Sequence, residues 1–330
     1  MKQRRSSALR LACAAGACIL HAAASAAPPL TASDPILIPD SHGKFDFIEI
    51  DPQNARLLTT HTGNKTLDVF DASSGALVKH CPTGAAQGVA VDSENGKYYV
   101  SVSAEHKLVA IDAKSLGATG ETDLSGPADI ATYDPKNGMA YACHDDSTEV
   151  WVVDVKASKI AATVAIPKDP EGILYDAKTD RVYLNIKSAN TTVVIDPSAN
   201  KVVRTWALAP ALSPHGLALD GDSGRLFAAG GNGKLVMVDP GTGKVAASCD
   251  IAPKVDQIAF DPGLKRIYCA SGTGVLSVVQ VNGTAVESLG SVPTHKGAHS
   301  VAVDAKSHAV WIAYADGEKS YIQKFSPPSP

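Results

Sequence analysis

The chain has 330 residues, 45% of them hydrophobic and 19% charged, with a formal net charge of −4. This is ordinary globular material, enough for one large domain or two small ones. Only 5% of residues are aromatic, while valine, alanine and glycine abound, a balance that suits thin, stacked strands better than a bulky helical core.

The first element is a processing segment. Lys2, Arg4, Arg5 and Arg10 form a basic head, residues 11–24 are apolar or small apart from His21, and Ala24-Ser25-Ala26 offers a small-residue cleavage site. The pattern predicts a signal peptide over residues 1–26 and a periplasmic or secreted protein. The apolar run is too short and alanine-rich for a membrane span. Removing it takes away the four cations named and no acid, so the mature charge becomes −8. No Lys/Arg cluster remains, which disfavours nucleic acid as a partner. Four cysteines remain, Cys81, Cys143, Cys249 and Cys269. An oxidising compartment permits disulfides among them in any of three connectivities. With no CxxC or CxxCH motif, neither a zinc knuckle nor covalent haem is indicated.

Residues 27–330 read as a single domain of repeats. An aspartate ends each "GVAVD"-like run, at Asp51, Asp92, Asp134, Asp176, Asp220, Asp261 and Asp304. Seven positions on stands a bulky residue: Leu58, Tyr99, Tyr141, Tyr183, Phe227, Tyr268 and Trp311. A third column, Asp71, Asp112, Asp154, Asp196 and Asp239, lapses at Gln280. A repeat of about 42 residues is the period of a four-stranded propeller blade. The second unit shows the strands as "GVAVD", "KYYVSVS", "KLVAIDA" and "ATGETDL", separated by turn-like stretches. The expected fold is therefore all-β, a seven-bladed β-propeller with four antiparallel strands per blade. The aspartates are expected to fix turns, and the bulky column to fill the space between sheets. The seventh unit lacks a fourth strand. "PILIPD", residues 35–40, resembles the fourth strand of the third unit and is expected to complete the last blade, closing the ring and hiding its edges.

The units "NGKYYVSVS", "TDRVYLNIKSANTTVVID" and "SGRLFAAGGNGKLVMVDPGTGKV" resemble the YVTN-repeat β-propellers, and the whole mature chain resembles their YncE-like secreted members. The resemblance implies the fold. It leaves the function open, because such propellers serve as surface proteins, binding proteins and parts of oxidoreductases. Related propellers act as lactonases, and some YncE-like proteins are associated with DNA.

Where the repeat keeps its frame it varies one position, five residues before the first aspartate: Asp46, Gln87, Asp129, Glu171, His215, Asp256 and His299. Asp, Glu, His and Gln supply 50 of the 330 residues, so seven in seven points to a constraint. A constant column serves the fold, and a polar column that changes from blade to blade can serve a ligand that lacks seven-fold symmetry. These residues are expected just before the innermost strands, ringing one mouth of the channel. Crowded acids there would raise one another's pKa, which a cation would relieve. Glu171, His215, Asp256 and His299 form one arc of consecutive blades and are the candidate ligands of a divalent cation. His61, His144 with Asp145, and Lys187 lie in turns that face the same mouth and are candidate additions, with His42 as a possible cap. There is no GxSxG, HExxH or phosphate-cradling loop. The expectation is a monomeric binding protein taking a small ligand or cation at the mouth. The alternatives are a metal-dependent hydrolase or lactonase on the same ring, and a scaffold that docks a partner protein there.

Overall fold

A computed structural model describes residues 27–328; the signal peptide expected over residues 1–26 lies outside them. Among the described residues there is no helix. Seven antiparallel sheets stand in a ring. Their innermost strands are Ile48–Asp51, Ala86–Asp92, Ile130–Asp134, Pro170–Asp176, Pro214–Asp220, Val255–Asp261 and Ser300–Asp304. Each innermost strand packs beside the next, and the seventh returns to the first. We number the blades one to seven in this order.

The repeated aspartates fold the chain locally. Asp176 Oδ1 accepts the Lys178 N–H at 2.9 Å, and its Oδ2 accepts the Thr179 hydroxyl at 2.6 Å. Asp261 takes the N–H groups of Gly263 and Leu264 at 2.9 and 3.1 Å. The outer column repeats the device, as where Asp71 accepts from Ser73 and Ser74 N–H. Where that column lapses, the Gln280 side-chain amide instead donates to the carbonyls of Leu264 and Lys265, both at 3.0 Å. The inner aspartates also hook neighbouring blades together. Asp51 accepts the Tyr98 hydroxyl of the next blade at 2.6 Å, and Asp261 lies 2.8 Å from His308 Nδ1. All seven members of the bulky column are buried. Tyr183, for example, packs on Trp206 with ring centroids 5.4 Å apart. The four cysteines are free thiols, three of them buried.

The ring closes at blade seven. Its own strands are Ser300–Asp304, Ala309–Asp316 and Lys319–Ser326. The outer edge of the last is covered by two short antiparallel pieces, Thr31–Ala32 and Ile36–Leu37. Closure therefore begins before residue 35 and is split, and Ile38 adds one more backbone bond to Ser320. Prolines 35 and 39 have no N–H to offer a ladder, which accounts for the short pieces.

Behind this seam lies a buried polar clasp. The carboxylate of Asp68 receives His61 Nδ1 on one oxygen and His80 Nδ1 on the other, both at 2.7 Å. His61 Nε2 reaches the Ser320 hydroxyl at 3.1 Å and the Gly43 carbonyl at 3.2 Å, while its ring stacks on Phe45. His80 Nε2 donates to the Pro39 carbonyl. Blade one, the closing segment and blade seven thus share one network.

Asp68→Ala, which strips two imidazoles of their acceptor, should destabilise the fold by about 3–5 kcal/mol. Tyr183→Ala should cost a similar 3–5 kcal/mol, roughly, through the cavity it leaves. Asp176→Ala should cost less, about 0.5–2 kcal/mol by analogy with a lost cap. Urea unfolding of the three variants checks the order, and equal small effects would contradict it.

Candidate functional site

The central channel encloses a cavity of 450 Å³. Asp46, Asp129, Glu171, His215 and Asp256 line it at one end, and mostly apolar inner-strand residues, such as Ile173, Leu217, Ile258 and Val301, line the rest. Five of the seven residues of the variable column therefore lie at the channel, although not simply before the strands. In blades two, four, five and six it sits inside the innermost strand at a β-bulge. Between Pro170 and Ile173, and between Pro214 and Leu217, the register slips by one residue. A bulge leaves an extra residue outside the ladder and re-aims its side chain.

What holds this column in place is a polar residue on the second strand of the preceding blade. Thr60 donates to the Gln87 carbonyl at 2.6 Å, Ser101 to the Asp129 carbonyl at 2.6 Å, and Asn185 to the His215 carbonyl at 3.1 Å. At the seam the donor comes from the innermost strand instead, where the Ser300 hydroxyl donates to the Asp46 carbonyl at 2.7 Å. Consecutive strands run so close that a Cβ on Gly172 would meet the His215 carbonyl oxygen at 2.4 Å. The glycine after the variable residue is thus a spacing requirement where it occurs.

The ring is electrically uneven. Glu171 is ion-paired with Lys187, so a lysine stabilises one of these carboxylates, which the column by itself did not suggest. Burial raises the Glu171 pKa, and Lys187 and His215 only partly offset it. Asp256 Oδ2 lies 2.7 Å from His299 Nδ1, off the imidazole N–H axis. Burial pushes Asp256 upward, but His299, His215 and Lys187 together bring it below its ordinary value. Burial likewise opposes the charge on His299, and Asp256 outweighs it, leaving the imidazole pKa raised. His215 Nδ1 donates to the Ser213 carbonyl at 2.9 Å, so the lone pair of the neutral ring is on Nε2.

Asp46 and Asp129 differ from these. Neither carboxylate has a hydrogen bond or ion pair among the described residues. Burial, followed by the charge of Asp256, raises Asp46 to about 6, against a weaker opposing pull from His299 and Lys44. Burial, followed by Asp46 and Glu171, pushes Asp129 well above the usual range. Both line the channel, so water reaches them while the surrounding protein removes much of their hydration.

The remaining sequence candidates separate. His61 is fully buried in the clasp, sealed by Phe45 and Ser320, and is closed to a ligand. Gln87 turns its side-chain oxygen to the Thr62 hydroxyl at 2.9 Å. Neither Gln87 nor His299 is part of the cavity lining. His42 is exposed. His144 stands with Asp145 and Asp146, each offering a metal-ligand atom within 4.8 Å of the others. Of the four arc residues, Glu171 pairs with Lys187 and Asp256 with His299, while His215 bonds to the Ser213 carbonyl. Ser320, His61 and Asp68 have the connectivity of a hydrolytic triad, but all three are fully buried, leaving the hydroxyl no route to a substrate.

Two residues of the channel were missed. Gln257 bridges three blades: its side chain donates to the Ile48 carbonyl at 2.7 Å and accepts from Val301 N–H at 3.2 Å. Glu49 lies in the channel wall two residues before the constant aspartate, where the other blades carry Ala90, Thr132, Leu174, Ala218, Ala259 and Ala302. That mismatch was its signal. One Glu49 oxygen accepts the Ile50 N–H, and burial raises its pKa to about 7. The folded protein therefore favours protonated Glu49, and stability is lost as pH rises from the unfolded value through 7. Glu49→Gln should stabilise the protein by roughly 1–3 kcal/mol at pH 8 and change little near pH 4.5, both by urea unfolding. An equal effect at both pH values would contradict the assignment.

Comparisons with known proteins agree with this architecture. A propeller chain in the structure titled "Crystal Structure of Mitotic Checkpoint Complex" superposes with a TM-score of 0.78 at 13% identity, covering 99% of each chain. A chain of Kuenenia stuttgartiensis hydrazine synthase gives a TM-score of 0.70 at 14% identity, over 84% of this chain and 96% of that one. U3-55K gives 0.75 at 10% identity, over 89% and 98%. At such identities the likeness is one of fold. No curated protein matches the sequence. A family model described as a domain of unknown function, DUF5074, matches residues 85–264, more than half of the sequence, and the chain belongs to that family.

Proposed function

We propose that the protein binds a small cationic ligand at the acidic mouth of its channel. One observation carries the reading: Asp46 and Asp129 face the cavity with no ion pair or side-chain hydrogen bond among the described residues, beside two acids that are ion-paired. A carboxylate stripped of water and left unpaired is costly, and the protein responds by favouring its protonated form. A ligand ammonium supplies the missing charge through charge-assisted hydrogen bonds. The apolar wall below the mouth would take the rest of the molecule.

A divalent ion is the second reading, favoured by the close approach of His144, Asp145 and Asp146 at the turn beside Asp129. The basic and apolar head of the sequence supports export, and the quoted repeats support kinship with the YVTN propellers. Of the five large exposed hydrophobics, Leu37, Val78, Val203 and Leu289 fall on outer strands of four different blades, and Leu212 lies in the link between blades four and five. That scatter favours the channel over a flat apolar docking face.

Because a proton and an ammonium compete for the same oxygens, affinity should rise as pH increases through about 6, where Asp46 ionises. Calorimetry with pentylamine at pH 5 and pH 8 should show tighter binding at the higher pH. Asp46→Asn and Asp129→Asn should each weaken it by about tenfold or more. Tighter binding at pH 5, or indifference to both substitutions, would reject the amine. Stabilisation by zinc or calcium that Asp145→Asn abolishes would favour the metal.

A further inference from the structure

Glu49 is a carboxyl group deep in a channel wall that is otherwise mostly apolar. It lies three residues beyond Asp46 on the same chain, which in extended backbone is a Cα spacing of about 10 Å along the channel. Its neighbours around the cavity include Leu174, Ala218, Ala259 and Ala302, none of which can pair with it. Its one hydrogen bond comes from the N–H of the adjoining residue. No packing need explains it, since alanine fills the same repeat position in four blades. The cavity thus has acids at its mouth, a greasy middle and a single acid further in.

We infer that the channel takes a linear molecule with a positive charge at each end, an α,ω-diamine or a short polyamine. One ammonium would sit between Asp46 and Asp129, the methylenes against the apolar wall, and the second ammonium at Glu49. This rests on the proposed cation-binding mouth and adds to it the length and the second charge of the ligand. Geometry sets the length. A chain extends about 1.2 Å per bond, so nitrogens six bonds apart stand roughly 7 Å from each other. An ammonium binds a carboxylate at about 2.8 Å, and flexible Asp and Glu side chains take up the remaining difference. The 450 Å³ cavity leaves room for such a chain and for water beside it.

A monoamine would satisfy the mouth and leave Glu49 facing methylenes. A diamine satisfies both ends, so the prediction is a difference between two ligands of equal chain length. The test is calorimetry on the full mature protein at pH 8 with cadaverine and with pentylamine. Cadaverine should bind about tenfold or more tightly than pentylamine. In Glu49→Gln that ratio should fall towards one, whereas in Asp129→Asn both amines should weaken. Glu49→Leu, which copies Leu174 of the fourth blade, is the second variant should the glutamine protein fold poorly. Equal affinity of the two amines for the unaltered protein, or a ratio that survives removal of Glu49, would overturn the diamine while leaving the mouth reading intact. No binding of either amine would overturn both.

Discussion

A ring of blades has one seam, and here the seam carries the rest of the structure. Six blades are continuous in sequence and need only local hairpins. The seventh lacks its outer strand and borrows it from residues some 290 positions away, as Ser33 and Gln323 show by sharing a hydrogen bond. Without that loan the edge of Lys319–Ser326 would stand open, and an open edge invites pairing with another chain. The molecule secures the loan with buried chemistry as well as with the ladder. The Asp68 clasp joins the closing segment to blade one, while Trp311 donates to the Ala72 carbonyl across the junction. Gln257 and Ser300 tie the inner strands on the channel side.

The seam is also where half of the candidate site is built. Asp46 and Glu49 both belong to the stretch that leaves the closing segment and enters blade one. The backbone of Asp46 is held by Ser300 and the adjoining strand by Gln257, so ring closure and site geometry rest on the same residues. In blades four to seven the acids are paired within the protein, Glu171 with Lys187 and Asp256 with His299. Asp46 and Asp129, in blades one and three, are left without an ion pair among the described residues. A seven-fold scaffold has become a directional site by varying one polar residue per blade, while its constant residues hold the frame.

The fold was legible because it repeats. Three columns in phase gave the blades, and the missing strand of the seventh unit gave the closure. The polar column was legible as a column and led to the channel. Its local setting was not, because a β-bulge leaves no mark in a hydrophobic pattern that is read at period two. Pairings across blades were hidden for another reason. His61 has the repeat position of His144, yet one is sealed inside a clasp and the other stands near the surface, since only blade one has the closing segment packed over it. Lys187 lies in a turn and meets Glu171 only once two strands pair. Glu49 is the one acid in a column of mostly small or apolar residues, and a single exception leaves no periodic signal of the kind that marks the repeating columns.

The role proposed for the unpaired acids of the mouth is to hold a cation. A crystal structure of the protein grown with cadaverine at pH 8 tests it most directly. The expected result is an ammonium at about 2.8 Å from the Asp129 or Asp46 carboxylate, with the chain running into the channel toward Glu49. A channel filled only by water, with the amine bound on the outer face of the blades, would contradict it.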